Sequence, residues 1–166
     1  MLMRKYRCSV LFVCANNICR SPIVEGVFRA AAKREGLARE IFIDSAGTSG
    51  NHRGEPPDPR GMRAARTRGY DLSRIRARAI VAKDFKRFDW ILAMDEANLR
   101  ALRSLQPETY EGHLGLLMDL VPDAPAREVA DPYFGDSAQF ERVLDLAEMA
   151  AERLLVRIRT DPTPPA

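Results

Sequence analysis

Apolar residues in this chain fall into two kinds of pattern: short continuous runs, and longer stretches with a three-to-four-residue repeat. Cys8 to Val13 (CSVLFV) is a β-branched, uninterrupted run and predicts a strand buried on both faces. Glu40 to Asp44 and Asp89 to Met94 predict two more strands. Between them, Ser21-Pro22 opens a helix with Ile23, Val24, Val27, Phe28 and Ala31 on one stripe and Gly36 as its stop. Ser45 to Pro57 reads as a Gly/Pro-rich loop. Asp58-Pro59 repeats the cap-then-proline signal for a helix ending at Gly69, and Asp95 starts another carrying Leu99 and Leu102. Phe140, Val143, Leu144, Ala147, Ala151, Leu154, Leu155 and Ile158 mark a long C-terminal helix whose stripe is core. Residues 103–135 hold apolar patches broken by prolines and show no legible period. Strands alternating with helices imply an α/β domain with a parallel sheet and right-handed crossovers. Sites in such sheets lie beyond the carboxyl ends of the strands.

The chain has 166 residues, enough for one packed domain. That domain is assigned to residues 1–160, with the proline-rich 161–166 expected to fray. Hydrophobic residues are 46% and charged residues 30%, a globular balance. A net charge of +3 is too small to argue for nucleic-acid binding, and the arginines at 74, 76 and 78 read as a solvated face. No apolar run is long enough to span a bilayer, and the start lacks the pattern of a secretory signal. No apolar stripe is left over after the core is assigned, which favours a monomer.

Three cysteines, Cys8, Cys14 and Cys19, crowd into twelve residues and make no disulfide framework. With only His52 and His113 elsewhere, they do not make a metal site either. They suit a reducing compartment, so a cytoplasmic location is expected. Cys14 to Ser21 (CANNICRS) lies between a strand and a helix N-terminus. Unpaired helix N–H groups and the helix dipole favour an anion there. Arg20 adds a planar fork matched to two phosphate oxygens. A cysteine at the loop's start would lie beneath the anion, in a field of the kind that favours thiolates. No Walker-type or dinucleotide-binding glycine motif competes with this loop.

VLFVCANNICRSP, DSAGTSG, GEPPDPR, FDWILAMDEANL and DPYFGD occur in that order. With them, residues 8–158 resemble the low-molecular-weight protein tyrosine phosphatases. The resemblance implies a three-layer α/β sandwich with a central four-stranded parallel sheet and helices on both faces. It also implies hydrolysis of phosphotyrosine and aryl phosphates through a phosphocysteine, without metal or other cofactor. By the same resemblance Cys14 is the nucleophile, Arg20 binds phosphate, and Asp131 of Asp131-Pro132-Tyr133 is the general acid and base. Ala15, Asn16, Asn17, Ile18 and Cys19 form the phosphate loop. Ser21 hydrogen-bonds the sulfur, and Asn17 braces the loop in a left-handed conformation with help from Ser45. Asn51, Tyr133 and Phe134 fall on the pocket wall. Cys19 is a redox partner able to form a reversible disulfide with Cys14. The implied partner is a phosphotyrosine-bearing protein, tyrosine kinases among the candidates.

Three positions depart from the family pattern. Asn16 stands where glycine is usual, Asn51 where many members carry Trp or Tyr, and a bracing histidine is replaced at about Ile75 or Arg74. Two other classes of function fit parts of the chain. Thiol-dependent arsenate reductases share the loop but relay a disulfide through downstream cysteines, and none follows Cys19. A non-catalytic phosphopeptide-binding module would be expected to lack Cys14 or Asp131. Asp95 reads as a helix N-cap, and neither histidine has a partner that the sequence identifies.

Overall fold

The computed structural model describes residues 5–165. Its strands are β1 (Cys8–Cys14), β2 (Ile41–Gly47), β3 (Trp90–Ala93) and β4 (His113–Leu116). All neighbours run parallel, in the order β2-β1-β3-β4. The helices are α1 (Arg20–Arg34), α2 (Pro59–Thr67), α3 (Asp84–Arg87), α4 (Glu96–Leu105) and α5 (Ser137–Thr160), with a 3₁₀ turn at Leu117–Leu120.

Alternation along β1 sorts the core into two layers. Val10, Phe12 and Cys14 point to the side covered by α1, α2 and α5, where Phe12 meets Phe28 edge-on at 5.5 Å. Leu11 and Val13 point to the opposite layer with Phe85, Leu99 and Leu102 of α3 and α4. Every β1 residue is buried, which is why the run is continuous rather than alternating. The three-layer architecture is therefore as expected, and the α5 stripe from Phe140 to Ile158 is core throughout. Large apolar side chains buried this fully contribute about 1.5–3 kcal/mol each.

Several local expectations shift. The first helix begins at Arg20, and Cys19 occupies the cap position without a side-chain cap bond. The Ser21 hydroxyl is diverted to a tertiary network described below. β2 extends to Gly47, so Ser45 belongs to a strand and not to the following loop. Asp58 and Asp95 do cap α2 and α4, accepting from the Arg60 and Asn98 amides. α3 and β4 were not legible locally.

Strand order reverses direction between β1 and β3, because the chain leaves β1 for β2 on one side and returns to β3 on the other. The crevice at such a switch point is where open parallel sheets bind ligands. Here it receives the loop after Cys14.

Candidate active site

Neighbouring amides hold the loop after β1 by its carbonyls. Cys14 O, Ala15 O and Ile18 O accept from the amides of Thr48, Ser49 and Asp58 at 2.9, 2.9 and 2.8 Å. Those three carbonyls are thereby paired. Among the described residues, the amides of Ala15, Asn16, Asn17, Ile18 and Cys19 donate to no protein acceptor. Successive free amides in a tight loop form a concave anion site, here continued by the N-terminus of α1. Gly47 permits this approach of β2. A Cβ there would lie 2.7 Å from Ala15 O and 2.9 Å from Ser49 O.

Behind the loop runs a buried polar chain. Asn17 is fully buried at φ 56°, the one non-glycine residue with positive φ among those described. Its Nδ2 donates to Ser21 Oγ at 2.8 Å and Ser45 Oγ at 2.9 Å, and its Oδ1 accepts from the Arg78 amide at 3.0 Å. Ser45 Oγ donates to Glu25 Oε1 at 2.7 Å, and Arg29 Nε donates to Glu25 Oε2 at 2.8 Å. Burial pushes the Glu25 carboxyl above its usual range, with Arg29 and Ser45 opposing. Ser21 Oγ lies 3.0 Å from Cys14 Sγ. Either atom can donate in that contact, and the Ser21 hydroxyl also lies 3.5 Å from the Ala46 carbonyl.

Asn16 does not have positive φ, so asparagine in place of the family's glycine incurs no left-handed strain there. No histidine braces Asn17 among the described residues; the Arg78 amide donates to its Oδ1. His52 pairs instead with Glu55 at 2.8 Å, and His113 packs edge-on to Trp90.

Arg20 is 3% exposed. Its Nη1 donates to Asp95 Oδ2 at 2.5 Å and to Val129 O at 3.0 Å, while Nη2 lies 3.9 Å from Asp131 Oδ2. Burial alone would lower its basicity, but Cys14, Asp95 and Asp131 together raise it. Asp131 Oδ1 accepts from the Tyr133 amide at 3.1 Å, and the carboxylate is half-exposed. Cys14, Ala15, Asn16, Ile18, Cys19, Arg20, Asp131 and Tyr133 all border one small cleft. Asn17, Ser21 and Ser45 lie behind it. Asn51 and Phe134 are not among its walls, and Phe134 is 97% exposed, packed edge-on to Tyr133 at 4.9 Å. Burial first, then the charges of Asp58, Asp131 and Cys14, push the Cys19 thiol up to about 12.

Four contributors escaped sequence reasoning. Glu25 and Arg78 support Asn17, and Asp95 adds the grip on Arg20 to its cap role. Asp58 reaches the loop through its backbone. Only Glu25 left a signal, as a carboxylate inside the apolar stripe of α1.

The network predicts a stability effect. Asn17→Ala would strand buried partners and force alanine into the left-handed region. Together these should cost about 2–4 kcal/mol, read as a lower thermal midpoint than wild type. An unchanged midpoint would remove Asn17 from any bracing role.

A buried cysteine under free amides, with a fixed guanidinium and a carboxylate at the mouth, defines a cysteine-centred oxyanion site on a doubly wound sheet. Comparison with known proteins narrows that class. The profile of low molecular weight phosphotyrosine protein phosphatases matches residues 9–163, and the chain belongs to that family. The Bacillus subtilis low molecular weight protein-tyrosine-phosphatase YfkJ is 39% identical over 153 residues, 92% of this chain and 97% of its own. A protein tyrosine phosphatase from Entamoeba histolytica superposes with a TM-score of 0.87 at 37% identity, covering 92% of this chain and 97% of that one. The drosophila arginine phosphatase DARP superposes at 0.85 with 29% identity, covering 92% and 98%.

Proposed function

We propose that this protein is a cytoplasmic, metal-independent protein-tyrosine phosphatase, a single domain acting as a monomer on phosphotyrosine proteins and aryl phosphates. The unpaired amides of Ala15 to Cys19, beside the cleft that Cys14 borders, carry this reading, since they offer donors to an oxyanion near the sulfur. Arg20 is held by Nη1, which leaves its Nε and Nη2 hydrogens for two phosphate oxygens. That pair of grips also holds the guanidinium in place while charge builds in the transition state.

Cys14 Sγ attacks phosphorus as the thiolate, with Ser21 solvating the anion. The S–P bond forms as the P–O bond to the phenol breaks, and Asp131 gives its proton to the departing oxygen. Asp131, now a carboxylate, takes a proton from water. The water oxygen attacks phosphorus, the S–P bond breaks, and inorganic phosphate leaves with the Cys14 thiolate restored. Tyr133 supplies an aromatic wall for the substrate ring. Asn17, Ser45 and Ser21 hold the loop's shape.

Cys14 and Cys19 border the same cleft, which supports a reversible disulfide between them. Peroxide would oxidise Cys14 to the sulfenic acid. Cys19 would then displace water to give the disulfide. Burial and the charges of Asp58 and Asp131 hold the Cys19 thiol up, which disfavours its thiolate.

Hydrolysis of p-nitrophenyl phosphate in chelator and fresh reductant tests the activity, followed by phosphotyrosine, phosphoserine and phosphoarginine peptides. Turnover of the aryl phosphate and the phosphotyrosine peptide alone is expected. A preference for phosphoarginine would reassign the substrate to the class named for the drosophila relative. No turnover by folded protein would overturn the activity.

A further inference from the structure

The segment that carries Asp131 has no helix or strand of its own between Leu120 and Ser137. It is nevertheless tied down at both ends. Upstream, the Val129 amide donates to Met94 O at 2.8 Å and the Val129 carbonyl accepts from Arg20. Downstream, one side chain of α2 reaches across to it. Arg60 Nη2 donates to Tyr133 O at 2.9 Å, and Nη1 to Gly135 O at 3.4 Å. Those two carbonyls lie just past the acid, whose own Oδ1 is fixed by the Tyr133 amide.

Arg60 is itself anchored to the phosphate loop. Its Nε and Nη2 meet Asp58 Oδ1 and Oδ2 at 3.1 and 2.8 Å, a two-point carboxylate pairing. The Asp58 amide donates to Ile18 O at 2.8 Å. The guanidinium also lies 4.8 Å from the centre of the buried Phe140 ring and 5.7 Å from that of Tyr133. The chain of contacts runs from Ile18 through Asp58 and Arg60 to Tyr133 and Gly135.

We propose that Arg60, held by Asp58, is a positioning residue that sets Asp131 at its working distance from the phosphate loop. This rests on the reading of Asp131 as the general acid. A guanidinium suits the task because one planar group serves a carboxylate on one edge and two carbonyls on the other; an ammonium cannot. Misplacing a catalytic group by about 1 Å can cost about 10²-fold. The loss should therefore fall where the proton matters, on a substrate whose phenol titrates near ~10 as tyrosine does.

The test compares kcat/KM for phenyl phosphate and p-nitrophenyl phosphate in wild type, Arg60→Ala, Arg60→Lys and Asp131→Asn. In Arg60→Ala, phenyl phosphate should fall about ten-fold, part of the about 10²–10⁴ attributable to a positioned acid. The nitrophenyl ester, with its better leaving group, should fall about two-fold. The ratio of the two rates is independent of how much enzyme is folded. Arg60→Lys should behave as alanine does, and adding Arg60→Ala to Asp131→Asn should leave the ratio where Asp131→Asn puts it. An unchanged ratio in Arg60→Ala beside a strong shift in Asp131→Asn overturns the positioning role alone. Rescue by lysine overturns it in favour of simple charge. No shift in Asp131→Asn removes the acid and the positioning role together.

Discussion

Cys14→Ser should abolish turnover and leave oxyanion binding nearly intact. The two properties come from different atoms. Binding rests on the amides of Ala15 to Cys19 and on Arg20, none of which depends on the residue 14 side chain. Attack rests on sulfur, and thiols as a class are far stronger acids and nucleophiles than alcohols. A serine hydroxyl keeps its proton unless a neighbouring base removes it. The hydroxyl nearest residue 14 is Ser21, which is no base, and both histidines are engaged elsewhere. Loss of rate should be on the order of 10⁶-fold, the scale seen when other covalent enzymes lose their nucleophile. Calorimetric titration with inorganic phosphate or tungstate should give a Kd within a few-fold of wild type. Residual turnover within ten-fold of wild type would show that Cys14 is not the attacking group. Loss of anion binding would show that the sulfur shapes the loop.

That separation explains why the site was legible before the fold. Free amides, a cysteine and an arginine sit within eight consecutive residues, so local sequence encodes most of the anion site. β1 could be read because burial on both faces demands a continuous apolar run. α5 could be read because one long stripe packs on the sheet. β4 could not. It is a four-residue edge strand, two of them half-buried, with a glycine inside and a 3₁₀ turn directly after it. No periodicity survives in so short an element.

The supporting residues were hidden for a different reason. Glu25 meets Ser45 across 20 positions and Arg20 meets Asp95 across 75, pairings that only the crossovers create. Ser21 illustrates the conflict. Its sequence context is that of a helix cap, but Asn17 and the Cys14 sulfur claim its hydroxyl, and α1 starts without a side-chain cap. Local preference yields where a buried polar group would otherwise stand unpaired. Asp95 serves both demands, one oxygen capping α4 and the other holding Arg20.

Asp131→Asn should separate the two chemical steps. The change is isosteric, and the amide oxygen can still accept from the Tyr133 amide, so the segment keeps its place. What is lost is the exchangeable proton. Phenolate departure from phenyl phosphate should slow by about 10²–10⁴-fold. A nitrophenolate leaves unaided, so phosphocysteine should still form from p-nitrophenyl phosphate. Its hydrolysis needs a base to take the proton from water, and asparagine offers none. Rapid mixing should therefore show a burst of about one nitrophenol per enzyme followed by slow turnover, the mark of an accumulating covalent intermediate. Trapped phosphocysteine on Cys14 should appear in acid-quenched enzyme by mass spectrometry. Equal rates for wild type and variant on phenyl phosphate, with no burst, would take Asp131 out of both steps.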